Sequence, residues 1–121
     1  MATSGIQLRC GPEHWASMDV TLGATITAGE MNKIQDTVGV YFEAGDSGDQ
    51  VAFIYKADKI VVTKVAGSGL TIAQGARVYF VSASDAVTGT AGSNTLCGRC
   101  LVAAGASDTT VEIELNGACA A

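Results

Sequence analysis

Cys97-Gly98-Arg99-Cys100 is the spacing in this chain with the most obvious chemistry. Two thiols three residues apart serve either as a redox dithiol or as half of a zinc site. A redox dithiol needs its first cysteine at a helix N-terminus, where the thiolate is stabilised. This pair instead sits inside a strand-like run from Leu96 to Val102. Residues three apart on a regular strand face opposite sides, so the two thiols are predicted to diverge. A zinc site also needs two more ligands, and only Cys10, His14 and Cys119, all in the terminal segments, are left to supply them. The two cysteines therefore read as small buried hydrophobes. His14 is the single histidine, so any Ser-His-Asp or Cys-His site has to use it, and nothing in the spacing supports one. Asp46 and Asp49 flank a Ser-Gly turn without the alternating ligands and terminal glutamate of a calcium loop. Gly67-Ser68-Gly69 is followed neither by Gly-Lys-Ser/Thr nor by a third glycine, since Ile72 stands there. The sequence thus predicts no enzyme, no cofactor and no metal.

The elements that would position these residues are short strands. Thr37 to Glu43 is β-branched, aromatic or glycine up to its final glutamate. The turn formers of Ala44 to Asp49 follow, and then Val51, Phe53 and Tyr55 alternate with Ala52, Ile54 and Lys56. Lys56 to Lys59 reads as a short connection into Ile60 to Val65, making a hairpin. Arg77 to Val81, Ala86 to Thr88 and Thr95 to Ala103 are further strand material. Val111, Ile113 and Leu115 alternate with Glu112 and Glu114, which gives one core face and one wet face. Gly29 to Gln35 fits a helical turn or a strand equally well. No repeat at solenoid periods is visible. Many short strands with glycine turns predict an all-β domain, a small antiparallel β-barrel or sandwich. Residues 20–121 are read as this single β domain. Residues 1–19, which hold the only proline, histidine and tryptophan, are read as an N-terminal arm or loosely attached first strand.

Composition narrows the partners. The chain has 121 residues, 48% of them hydrophobic and only 16% charged, so part of a weakly polar surface is expected to be covered by another protein. Net charge is −5 and the seven basic residues are scattered, which excludes nucleic acid. No apolar run is long enough to span a bilayer as a helix, so no membrane partner is expected. Met1 to Gly5 lacks the basic and apolar regions of a signal peptide. Synthesis in a reducing cytoplasm, with the four cysteines as thiols, is the expectation.

An ordered series of segments carries a resemblance. It begins with Ala28-Gly29-Glu30 and Asp36-Thr37-Val38-Gly39-Val40, then Ile60-Val61-Val62-Thr63-Lys64. Leu70-Thr71-Ile72-Ala73-Gln74-Gly75 leads into Val78-Tyr79-Phe80. Asn94-Thr95-Leu96 with Gly98, Ala103-Ala104, and Thr110 to Gly117 complete it. From about Ala28 to Gly117 the chain resembles the phage capsid decoration or cement proteins of the DUF2190 family. The resemblance implies a compact β-barrel or β-tulip-like domain on the outer surface of a phage head. It also implies contact with the major capsid protein, homotrimers near local three-fold positions, and a function in stabilising the expanded shell across capsomer seams. The protein would then be made in the host cytoplasm and end on the outer capsid surface of the virion.

The arm has apolar and aromatic residues outside the alternating pattern, so Ile6, Leu8, Trp15 and Met18 are read as interface residues, with Trp15 as anchor. Tyr41 joins them as an aromatic candidate, and for both Trp15 and Tyr41 a place in the protein's own core is the competing reading. Two other functions stay open. One is a virion-surface β-sandwich that binds a glycan or receptor, and the other is a small thiol or zinc protein built on Cys97 and Cys100.

Overall fold

The computed structural model describes residues 14–116. Eight strands make one antiparallel sheet: β1 (Trp15–Thr21), β2 (Met31–Ile34), β3 (Thr37–Tyr41), β4 (Gln50–Thr63), β5 (Arg77–Val81), β6 (Ala86–Thr88), β7 (Thr95–Cys100) and β8 (Thr110–Leu115). The order is β2-β3-β4-β8-β7-β5-β6, with β1 also on β4. A parallel bridge between Lys64 and Val87 brings β6 back to the end of β4, so β4, β8, β7, β5 and β6 nearly close into a barrel. The all-β barrel expected from the strand pattern is what forms.

Two expectations change. Residues 56–59 do not connect a hairpin; β4 runs unbroken for 14 residues. Its ladder slips twice, opposite Ala16/Ser17 in β1 and between Ala57 and Ile60 against β8. Bulges of this kind bend and twist a strand without ending it, and sequence alternation reads such a break in phase as a turn. The arm boundary drawn at residue 19 falls inside β1, where Met18, Asp19 and Val20 pair with Phe53, Ala52 and Val51. The ambiguous segment after Gly29 is strand β2, paired to β3 through the two-residue loop Gln35-Asp36.

The bend makes β4 a member of two sheets that follow one plan. In the first module β1 pairs with the first half of β4, β4 with β3, and β3 with β2. In the second, the last part of β4 pairs with β8, β8 with β7, and β7 with β5. Registers correspond residue for residue. Val20 faces Val51 as Val62 faces Val111. Val40 and Tyr41 face Ile54 and Phe53 as Arg99 and Cys100 face Glu114 and Ile113. Isolated bridges join Ile26 to Gly45 and Ile72 to Ala104. Tyr41 N–H donates to Glu30 C=O at 2.9 Å, and Cys100 N–H to Ala76 C=O at 2.8 Å.

Gly39 and Gly98 occupy equivalent places for one reason: the neighbouring strand passes too close for a Cβ. At Gly39 it would lie 2.5 Å from the Ile54 carbonyl oxygen, and at Gly98 it would collide with that of Glu114. Three strand-entry turns share another device. The carboxylates of Glu30, Asp49 and Asp108 accept the backbone N–H of Thr27, Asp46 and Gly105, at 3.1, 2.9 and 2.8 Å. Asp49 is thus a turn staple, which gives the Asp46–Asp49 turn a structural task.

Each module has a core. Leu22, Ile26, Tyr41, Val51 and Phe53 fill the first. Their counterparts Ile72, Cys100, Val111 and Ile113, with Ile60, Val62, Val78, Phe80 and Val87, fill the second. The back of the first module, through Met31, Val40 and Ile54, packs into that second core. The equivalent back positions of the second module, Arg77, Arg99 and Glu114, are exposed or only partly buried. β3 therefore has apolar groups buried on both sides, and reads as an unbroken apolar run. Lys64, where the first module has Leu22, is buried yet sends its ammonium out to the carbonyls of Val65, Ala106 and Asp108 at 2.9, 3.4 and 3.3 Å.

Asn116 ties the modules together. Its side-chain amide donates to the carbonyls of Val38 and Tyr55, both at 2.7 Å, and its N–H to that of Cys97. Its φ of 50° is one that asparagine tolerates better than most residues. Asn116→Ala should lower stability by about 2 kcal/mol, and Asn116→Asp, which sets a carboxylate against two carbonyls, by more. Gly98→Ala should cost about 3 kcal/mol, whereas Gly23→Ala, with open space around it, should stay within about 0.5 kcal/mol. Urea midpoints at constant m-value check all four substitutions.

Candidate functional site

The CxxC pair lies on β7, and the predicted divergence of its side chains does not occur. β7 pairs with β5 through Val78–Gly98 and Tyr79–Leu96, which leaves Cys97 as the extra residue of a bulge. The bulge shifts the phase by one position, so Cys97 and Cys100 both enter the second core with no exposed surface. Both are thiols, on a strand rather than a helix N-terminus. Burial pushes the Cys100 thiol above its ordinary pKa, with a backbone hydrogen bond at Val102 pulling the other way. A thiol held in this manner is a poor nucleophile. Among the described residues no group of three or more His, Cys, Asp or Glu side chains is placed to hold a metal ion. Cys10 and Cys119 lie outside the described residues.

His14 stands just before β1, its Nδ1 2.9 Å from Asp58 Oδ2 on the bulged part of β4, with both side chains about half exposed. In this solvated setting the pair adds little to stability. It borders the most prominent aromatic feature of the surface. Trp15, the first residue of β1, is partly buried against the second core and stacks on Phe42, with ring centroids 5.6 Å apart and planes 17° apart. Among the described residues, Phe42, at 38%, is one of two large apolar side chains that are exposed; Val102, at 55%, is the other. A shallow groove of about 320 Å3 lined by His14, Trp15, Ala16, Lys56 and Asp58 runs beside the stack. Two rigid rings with a polar rim form the kind of anchor that dominates protein interfaces.

The other interface candidates fall elsewhere. Met18 is partly buried on the inner face of β1, against the first core. Tyr41 is inside that core, 5% exposed, tilted against Phe53 at 5.1 Å and accepting a hydrogen bond from Asn32 Nδ2 at 2.9 Å. Ile6 and Leu8 lie outside the described residues. Phe42 was missed because it follows a strand and reads as its last core residue; the stacking on a tryptophan 27 positions upstream is set by the fold. What the site offers is contact area: among the described residues it holds no nucleophile with an activating base.

The burial of Cys97 and Cys100 has a direct test. In native protein pulsed with iodoacetamide at pH 8, mass spectrometry should find both unmodified while denatured protein is labelled at both. Their labelling rate should track global unfolding as urea is raised.

Over residues 12–115 the sequence matches the family model described as phage cement protein. Curated proteins and solved structures gave no match. The matched region starts before β1 and ends with β8, so it takes in Trp15 as well as both modules. The chain belongs to the phage cement protein family, structural proteins associated with the phage capsid.

Proposed function

We propose that this protein binds the outer surface of a phage head through the major capsid protein and stabilises the expanded shell across capsomer seams, acting as a homotrimer near local three-fold positions. The observation that carries this reading is the family match across nearly all of the folded chain. The architecture is suited to the task. Two modules that share a strand form one stiff body, and stiffness keeps binding energy from being lost to ordering the partner. A ligand that binds the assembled lattice and not the free capsid subunit stabilises the lattice by mass action. A trimer on a three-fold position multiplies three modest contacts into one tight attachment. The protein is made in the host cytoplasm, where its thiols stay reduced, and acts on the virion. Its net charge of −5 keeps it away from packaged DNA.

The stacked pair Trp15 and Phe42 is the proposed anchor on the capsid side. Purified protein mixed with undecorated, expanded capsids and pelleted should bind saturably, at a stoichiometry set by the three-fold positions. Failure to bind any capsid state overturns the reading. Trp15→Ala should weaken capsid affinity about tenfold or more at unchanged circular dichroism, as truncation of a central aromatic anchor does. Equal occupancy by the variant across a titration would move the anchor elsewhere.

A further inference from the structure

The two modules differ in one strand. In the second, the connection from β5 to β7 carries β6, which pairs with β5 on one side and meets Lys64 in parallel on the other. Val65 N–H donates to Val87 C=O at 2.9 Å in that closure. In the first module the corresponding connection is only Gln35-Asp36, and β1 and β2 pair with β4 and β3 alone. Among the described residues, nothing takes the position of β6 between β1 and β2.

Burial records the gap. Beneath β6 the second core has Ile60, Val62 and Phe80, all at most 3% exposed. The equivalent residues of the first module are Met18, Val20 and Ile34, and these three are the ones that pack on the first core while remaining partly exposed. A groove of about 310 Å3 lined by Leu22, Ile26, Asn32 and Tyr41 opens at the same place, between the end of β1 and β2. An uncovered core with an unpaired edge on each side is a site for an added strand.

The chain itself carries a segment of the right pattern. Ile6, Leu8 and Cys10 alternate with Gln7 and Arg9, which gives one apolar face and one polar face, and thirteen residues precede His14. Direction identifies the donor. The closure made by β6 is antiparallel to β5 and parallel to β4, so the equivalent strand in the first module runs parallel to β1. Only residues 11–14 separate Cys10 from Trp15, and a parallel return within one chain needs a crossover of about a dozen residues or more. The segment cannot reach its own gap in that direction.

We propose that the gap between β1 and β2 binds residues 6–10 of a second copy of this chain, running parallel to β1, with Ile6, Leu8 and Cys10 laid on Met18, Val20 and Ile34. The exchange completes the first core as β6 completes the second. Because donor and acceptor surfaces differ, the contact closes either by reciprocal exchange between two copies or as a ring of copies. The inference rests on the repeat within the fold and stands apart from capsid binding.

The test uses the full chain without capsids. Leu8→Cys is combined with Val20→Cys, and separately with Ile34→Cys, both in a Cys10→Ser, Cys119→Ser background. After mild oxidation and denaturation with an alkylating agent, non-reducing gels should show most of the protein in covalent species of two or more chains. A disulfide within a single chain would mean that the segment fills its own gap, and would overturn the proposal, as would no crosslink in either variant. Light scattering of the otherwise unaltered chain carrying Leu8→Asp provides a second readout that needs no disulfide. The expected result is a fall to the mass of one chain at unchanged circular dichroism, and retention of the wild-type mass would overturn the proposal.

Discussion

Everything in this molecule depends on β4 remaining one strand while serving two sheets. A regular strand of its length would be a nearly straight rod, and the sheets on its two halves would share a face. The slips at Ala16/Ser17 and Ala57/Ile60 bend it instead, so that β3 and β8 follow one another along the same edge of β4 while each closes over a different core. Asn116 fills the seam where they meet, donating to one carbonyl from β3 and one from β4. Few side chains suit that position. It requires two donors on a short stem and a backbone in the left-handed region, and asparagine supplies both.

Given that strand, the same local plan is used twice and given different residues by different surroundings. The back of the first module meets the second core and is Met31, Val40 and Ile54. The back of the second meets water, and the same positions are Arg77, Arg99 and Glu114. What persists is imposed by the backbone: glycine where strands approach at residues 39 and 98, and a positive-φ glycine at the third position of the turns that end in Glu30 and Ala76. The acidic surface is in part a by-product of this plan, since Glu30, Asp49 and Asp108 fasten turns to strands.

For a cement protein such construction has a mechanical meaning. β4 belongs to both modules, so load applied to one passes to the other along covalent backbone rather than across a hinge. A body of this kind does not yield between its ends, which is the condition under which several small contacts add up to avidity. The Trp15–Phe42 stack sits where β1 begins, beside the bulged middle of β4, and is held by both ends of the first module.

The class of fold was legible in the residues themselves. β8 could be read from its alternation of Val111, Ile113 and Leu115 with two glutamates, and β5, β6 and β7 from runs of β-branched and aromatic residues, because strand period and burial leave a two-residue imprint on the chain. The ordered series from Ala28 to Gly117 pointed to the family. What the residues could not show are the features that depend on the register between distant strands. A bulge moves side chains to the other face without changing the composition, so the middle of β4 read as a turn and Cys97 and Cys100 read as divergent. The internal repeat was hidden because its two copies conserve pairing geometry rather than side chains, and because β6 is inserted in only one. The edge of β1 that no described residue pairs with and the Trp15–Phe42 stack follow from that pairing, and only the tertiary structure decides them, since local sequence specifies the conformation of a strand but not which strand lies beside it.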